Sequence, residues 1–440
     1  MSASHKKPTA PADLRAVLGL GLGAGLPEAL TRQVEGELEV FAAHMRHGLL
    51  AAAINVGLDV FCELLAIEVT EVAGAKGRHD PTRRALRHGS ERSKVPLGGR
   101  MVAVDKPRVR STDGRGEISL PSWQAVASRE LLDRHALISM LTGVSTRRYH
   151  SVLEPVGPKI EGASSTSKSA ISRRFVEATR ARLCEFRSRP LGERRFLVVY
   201  IDGFNFAGET LVGALGVDET GNKVPLSVVH GTTENKTVCK RLLDDLEDRG
   251  FDPSSGVLFV IDGGKAIYHA LMDKWSDLVL VQRCRAHKQR NIIDLLPDTH
   301  HAWVIRELHR AWAIAEEGGA ERSLHALADK IERTHPDAPA SFREGLCDTV
   351  TINRLGISGT LARTLATTNT MESTVDIVKM HAMNVKRWMP GDMRLRWAAV
   401  AMLCAEAQYR RVKGYRQLDH LTASITAQIE RRTAELSRAS

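Results

Sequence analysis

The sequence of 440 residues has no closely spaced cysteines. Its six, Cys62, Cys184, Cys239, Cys284, Cys347 and Cys404, are scattered with no CxxC pair, which excludes a disulfide framework and points to a reducing compartment. The first residues, MSASHKKPTA, are polar, and no apolar core of a secretory signal follows them. Long uncharged runs are missing too. The most apolar stretch, Gly48 to Ile67, contains Asn55, Asp59 and Glu63, so it reads as a helix in water rather than a membrane span. The expected location is the cytoplasm, with no membrane partner.

What the sequence does have is positive charge. Lys and Arg total 62 against 52 Asp and Glu, a formal net charge of +10, which favours a polyanionic partner and nucleic acid ahead of membrane. The excess is concentrated from Lys76 to Arg110, where Arg83, Arg84, Arg87, Arg92, Lys94 and Arg108 are among the bases and only Asp80, Glu91 and Asp105 oppose them. An apolar fraction of 43% supports a sizeable core. The length suggests about two to four structural units.

Residues Met1 to Pro11 read as a disordered tail. Apolar residues then recur at helical spacing from about Leu30 to Val72, predicting one long helix or two. In the basic segment MVAVDKPRVR alternates as a short strand ending near Pro107. A helical block is expected from Ser122 to about Arg187: one helix over Leu131–Leu141, a second from Ser145 and a third from about Ser167. The third opens with small polar and basic residues, Lys168, Ser169, Ser172, Arg173 and Arg174. A helix-turn-helix recognition helix has that composition where it meets bases and phosphates.

After Pro190 and Gly192 the texture changes to strands. RFLVVYIDGFNF, ETLVGALGVDE and KVPLSVVHGTT form a meander, followed by a helix, the strand VLFVIDG, a helix and the strand LVLVQRC. This order predicts an α/β fold with a mixed sheet, the arrangement of the ribonuclease H-like fold, in which the first and fourth strands are neighbours. Both of those strands end in a carboxylate followed by glycine, at Asp202 and Asp262. Two ionised acids at the ends of adjacent buried strands repel each other and lose hydration, and a divalent cation relieves both problems. Asn369 and Glu372 resemble a capping box, with Asn as N-cap and Glu three residues later.

The blocks YIDGF, VIDGGKA, QRCRAHKQRNI and TTNTMES, in this order from about Leu197 to Arg410, strongly resemble those of Mutator-type DDE transposases of bacterial insertion sequences. The resemblance implies a catalytic, metal-binding triad of Asp202, Asp262 and Glu372. It also implies a C-x-x-H motif at Cys284 and His287, and an all-α insertion between the second and third acids. FNFAGET after Gly203 departs from the basic run usual there. Around the C-x-x-H motif, Arg283, Arg285, Lys288 and Arg290 would suit phosphates, while Cys284 and His287 supply only two of the ligands a zinc site needs. Beyond Glu372, Lys379, Lys386 and Arg387 are DNA-contact candidates, on a helix closed by Trp388 and Pro390.

The implied organisation is an N-terminal helical and basic region (1–111), a helix-turn-helix-like DNA-binding region (112–190) and a ribonuclease H-like core in two parts (191–296 and 367–440) around an α-helical insertion (297–366). The implied function is binding of terminal inverted repeats, then DNA cleavage and strand transfer with two Mg²⁺ or Mn²⁺ ions, by a homodimer or larger complex on DNA. Two alternatives stand beside it: a metal-dependent nuclease or resolvase on the same fold, and a DNA-binding regulator derived from a transposase.

Overall fold

Apolar residues at steps of three and four carry one uninterrupted helix, α1 (Glu28–Ala73), in the computed structural model, which describes residues 28–439 apart from 79, 82, 129, 157–159, 161–163, 165, 317 and 336–341. The tail expected at Met1–Pro11 lies outside the described residues. The chain divides into two units, residues up to 132 with 152–166, and residues 133–151 with 167–440.

In the first unit α1 packs on a β-hairpin. Strands β1 (Ala85–Leu97) and β2 (Arg100–Ser111) pair antiparallel, and Gly98 and Gly99, both at positive φ, form the two-residue turn between them. Phe61, Leu65 and Val69 of α1 bury against Val95, Val104, Val109 and Leu120. Helix α2 (Pro121–Ala127) is tied back where the Ser122 N–H donates to Glu68 Oε1 at 2.9 Å. The basic segment is therefore a hairpin and not the single short strand expected. Strand β1 was not legible because Leu86 to Arg92 are exposed on both faces and show no alternation.

Helix α3 (Glu130–Leu141) precedes a short 3-10 turn at Tyr149–Val152, where a full helix from Ser145 was expected. The next helix, α4 (Lys168–Ser188), is capped by Ser167, whose side chain accepts from the Ala170 N–H. Residues 142–167 separate α3 from α4, and a helix-turn-helix needs a turn of about three or four residues. That expectation is corrected. Helix α4 buries Ile171, Phe175, Thr179, Leu183 and Phe186, and it is an amphipathic helix of the larger unit.

The larger unit is built on five strands: β3 (Phe196–Phe206), β4 (Glu209–Asp218), β5 (Lys223–His230), β6 (Val257–Ile261) and β7 (Val279–Arg283). Their order is β5-β4-β3-β6-β7, with the meander antiparallel and β3, β6 and β7 parallel. Helices α5 (Lys236–Asp248) and α6 (Lys265–Trp275) cover one face, against Val199, Ile201, Phe259 and Ile261. The chain then runs through α7 (Arg285–Ile293), α8 (Asp298–Trp312), α9 (Gly319–Thr334), α10 (Thr351–Arg354) and α11 (Gly359–Leu365). Among the described residues this stretch is without strands, and it has a core of its own around Val304, Leu308, Leu324, Ile331 and Phe342. It ends where it began, with the Arg285 N–H donating to the Ala366 carbonyl at 2.8 Å.

Helices α12 (Asn369–Ala382), α13 (Met393–Glu406) and α14 (Leu418–Ala439) return to the sheet. With α4 they cover its second face, where Tyr200, Phe204, Leu258 and Val260 meet Met371, Val375, Trp397 and Leu421. Helix α12 ends at Ala382, so Lys386, Arg387, Trp388 and Pro390 lie in the link to α13 and not on the helix expected to carry them.

Candidate active site

Along a strand, side chains alternate between faces. Asp202 therefore shares the face of Tyr200 and Phe204, and Asp262 shares that of Leu258 and Val260, the face that α12 covers. Ile201 and Ile261 are parallel partners, so the two acids follow at matching positions, but only Asp262 lies past its strand's end: β3 runs on to Phe206, and the expectation that it ends at Asp202 is corrected. Asp202 is buried. The hydroxyl of Thr233 donates to Asp262 Oδ2 at 2.9 Å and the Gly264 N–H donates to Oδ1 at 3.1 Å. Gly263 between them has φ +110°, a conformation that suits glycine and lets the chain turn tightly after Asp262.

Glu372 arrives from α12. Thr368 is the N-cap residue and Asn369 is the first residue of the helix, so the capping-box expectation does not hold and the exposed Glu372 caps nothing in that way. Its neighbour Met371 is fully buried over Gly213, which is the cross-strand partner of Asp202. Asp202 senses the other two acids. Burial pushes Asp202 up to about 6, Asp262 and more weakly Glu372 add to the rise, and His287 and a hydrogen bond with Thr368 oppose it.

Cys284 and His287 stand just behind. The Cys284 N–H donates to the Ile261 carbonyl at 2.7 Å, tying the start of α7 to the strand that ends in Asp262. Burial pushes the Cys284 thiol up, but hydrogen bonds with His287 and with the Thr368 N–H outweigh it and leave the pKa lowered. His287 is raised to about 9, chiefly by its hydrogen bond to Cys284 against the effect of burial, with Asp202 and Asp262 also favouring the cation. Sequence reading passed over Thr368. It is fully buried, its N–H lies 3.4 Å from Cys284 Sγ and its Oγ1 lies 3.5 Å from His287 Nδ1. Its signal was its place inside TTNTMES.

A family profile described as "Transposase, Mutator family" matches residues 31–410. The chain belongs to the Mutator family of transposases. It is similar to the transposase for insertion sequence element ISRM5 of Rhizobium meliloti (strain 1021), 28% identical over 67% of this chain and 73% of that one. It is also similar to the transposase for IST2 of Acidithiobacillus ferrooxidans, 24% identical over 51% and 78% of the two chains. A third relative, the transposase for IS6120 of Mycolicibacterium smegmatis, is 24% identical over 65% and 87%.

Of the bases expected to meet DNA in this transposase, several are occupied within the fold. Arg283 is buried, donates to the Gly263 carbonyl at 3.1 Å and pairs with Asp348 at 3.2 Å. Lys288 is buried and donates to the Glu344 carbonyl at 2.7 Å. Arg285 donates to the Thr349 carbonyl at 2.9 Å and lies over the Trp312 ring. These side chains join the helical stretch to the sheet, and the reading of Arg283, Arg285 and Lys288 as phosphate ligands is corrected. Arg290 is exposed, as are Lys379, Lys386 and Arg387. On α4, Lys168, Ser169, Ser172 and Arg173 are exposed, whereas Arg174 is half-buried and pairs with Asp133 at 3.7 Å.

Carboxylates are hard oxygen donors of the kind Mg²⁺ and Mn²⁺ prefer. A buried Asp202 whose proton affinity is raised by burial and by two neighbouring acids is what a divalent cation would relieve, so the residues fit such an ion. Elsewhere, in the helical stretch, the ligand atoms of Glu321, His325 and Cys347 lie within 4.8 Å of one another.

Proposed function

We propose that this transposase cuts and joins DNA on a ribonuclease H-like core, with Asp202, Asp262 and Glu372 as the catalytic acids. The observation that carries the reading is the gathering of three carboxylates from three separate elements: Asp202 within β3, Asp262 just past the end of the adjacent β6, and Glu372 on α12, with Asp202 buried among them. The strand order, with three antiparallel strands followed by two parallel ones, supports the fold assignment, and the helical stretch between β7 and α12 fits an insertion between the second and third acids.

Divalent ions bound there would supply Lewis-acid activation of the attacking oxygen and stabilisation of the leaving one in an in-line displacement at phosphorus. Asp202 would hold the ions together with Asp262 and Glu372. Asp262 is oriented by Thr233 and Gly264, and Glu372 closes the third side. Water attacks first, freeing a 3′-hydroxyl at the element end. That hydroxyl then attacks a phosphodiester of a second DNA strand at the same acids, and the target strand's own 3′-oxygen leaves as a hydroxyl. His287, held as a cation by its thiol partner, offsets the negative charge of the acids from behind. Exposed bases on α4, on the hairpin and at Arg290, Lys379 and Arg387 are the candidate DNA contacts, including those to terminal inverted repeats. Joining two ends calls for two or more copies of the chain.

The test is a strand-transfer assay with a pre-cut element end in Mg²⁺ or Mn²⁺. Wild-type chain is expected to join the end to target DNA, and Asp202→Asn to neither cut nor join while still binding ends. Cleavage without joining by the wild type would favour the nuclease reading. Nicking by the variant would remove Asp202 from the site.

A further inference from the structure

Helix α1 has two apolar faces, and the hairpin covers only one. Ile54, Phe61, Leu65 and Val69 are buried against β1 and β2. On the opposite side Met45, Leu49, Val56, Val60, Leu64 and Ile67 are all exposed, Leu49 at 65% and Val56 at 60%. A stripe of this length on a water-soluble unit marks an interaction surface.

The stripe repeats every eleven residues: Met45, Val56 and Ile67 form one row, Leu49 and Val60 a second, Ala53 and Leu64 a third. Eleven residues span three turns of a helix at about 3.67 residues per turn, so the rows stay on one side with a slight right-handed drift. Among the described side chains the pattern is close to symmetric about Val56. In an antiparallel pair centred there, Met45 of one helix faces Ile67 of the other, the small Ala52 faces Val60, and Leu49 lies one residue out of register with Leu64, beside Glu63. Charge follows the same symmetry. Arg46 lies at one end of the stripe and Glu63 and Glu71 toward the other, so antiparallel pairing brings opposite signs together and parallel pairing stacks like on like.

We propose that α1 pairs antiparallel with α1 of a second copy of this chain, about a twofold axis at Val56. Large apolar side chains at roughly half exposure leave on the order of 600 Å² per chain, so a pair removes on the order of 1,200 Å² from water, the lower end of a stable interface. The competing occupant is lipid, since Met45–Ala73 is long and apolar enough to cross a membrane. The covered face argues against it. There Arg87 donates to Thr70 Oγ1 and the Gly74 carbonyl, and Glu68 accepts from Ser122, polar ties that a bilayer core does not accommodate. The inference deepens the two-copy element of the reading above but stands on α1 alone, so pairing can fail while the catalytic assignment holds, and the reverse.

The experiment is sedimentation velocity on the full chain without DNA, for wild type, Val56→Glu and the double variant Leu49→Glu/Val60→Glu. A wild-type dimer is expected, with its dissociation constant raised about 100-fold or more in the variants and their thermal unfolding unchanged. Cysteine cross-linking in a Cys62→Ser/Cys184→Ser background gives an arm independent of folding, because the introduced sites are exposed. Met45→Cys mixed with Ile67→Cys should form a disulfide, Val56→Cys should join to itself, and Met45→Cys alone should not. A wild-type monomer at the highest soluble concentration, a Val56→Glu dimer as tight as wild type, or self-linking of Met45→Cys would overturn the proposal. So would co-sedimentation of the wild type with phosphatidylcholine–phosphatidylglycerol vesicles that Val56→Glu abolishes.

Discussion

Met371 occupies the space that a side chain on Gly213 would need, and Gly213 is the cross-strand partner of Asp202. A Cβ at position 213 would also lie 3.3 Å from Met402 Cε and from Phe204 Cε1. The residue just before Glu372 is thus seated on the strand beside the first acid. Glycine in the middle of a buried strand is unfavourable for the strand itself. Here it opens the notch that lets α12 approach.

Filling that notch should separate the two acids. Gly213→Val is expected to lower stability by about 1–3 kcal/mol through overpacking and to reduce strand transfer far more than end binding. Circular dichroism melts and parallel binding and joining assays would check it. Joining at wild-type rate would mean that Glu372 does not depend on the Met371 seat.

Asp202 makes the metal-free chain sensitive to pH. Its folded pKa, pushed up by burial and by Asp262 and Glu372, is about 6, above the ordinary carboxyl value. A raised acid contributes stability that is fully present below its unfolded pKa and is lost as pH rises through the folded one, so the loss falls between about pH 4 and 6. At pH 7 the ionised group costs on the order of 2 kcal/mol. Asp202→Asn should therefore unfold at a higher temperature than wild type at pH 7 in a chelator, with the gap closing toward pH 4. Mg²⁺ or Mn²⁺ should raise the wild-type melting temperature and leave that of the variant nearly unchanged.

His287 and Thr368 both act on Asp202 without occupying its place. Each lowers the proton affinity of Asp202, so His287→Ala and Thr368→Val should move the acid limb of the activity profile to higher pH. Losses of about 10–100-fold in metal affinity or activity are expected, as for groups that orient ligands from behind. A uniform drop in rate with an unmoved pH profile would reduce both residues to packing.

Arg283 and Arg290 lie seven residues apart and should behave oppositely. Removing Arg283 strips Asp348 and Glu344 of a buried partner, at a cost of about 3 kcal/mol in Arg283→Ala. DNA affinity, measured well below the melting temperature, should hold. Arg290→Ala should leave stability intact, weaken DNA binding across sequences and reduce the salt slope by about 1. Fluorescence anisotropy at several salt concentrations separates the two.

Much of the larger unit was legible. Apolar runs marked β3 through β7, although β3 continues past Asp202 to Phe206 instead of ending at the acid. The hairpin was less so, since most of β1 faces water on both sides and only the alternation of MVAVDKPRVR in β2 was readable. Asn369 looked like an N-cap from spacing, but Thr368 takes that position because its backbone must also reach Cys284. The burial of Arg283 and Lys288 could not be read at all: their partners Glu344 and Asp348 come from more than fifty residues away, and a basic residue next to a motif looks the same whether it meets solvent or a buried acid.

The hydrogen bond from Arg285 to Ala366 brings the two ends of the helical stretch to one point, and Thr368 meets Cys284 there as well. The chain from Arg285 to Ala366 leaves the sheet and rejoins it through a single junction. The acids on either side of that junction are positioned by the knot and not by the length of the rope. Closing a longer loop costs only slightly more entropy, so relatives can lengthen, shorten or rebuild the excursion while Asp262 and Glu372 keep their separation. The site is in that sense indifferent to the size of the segment that divides it.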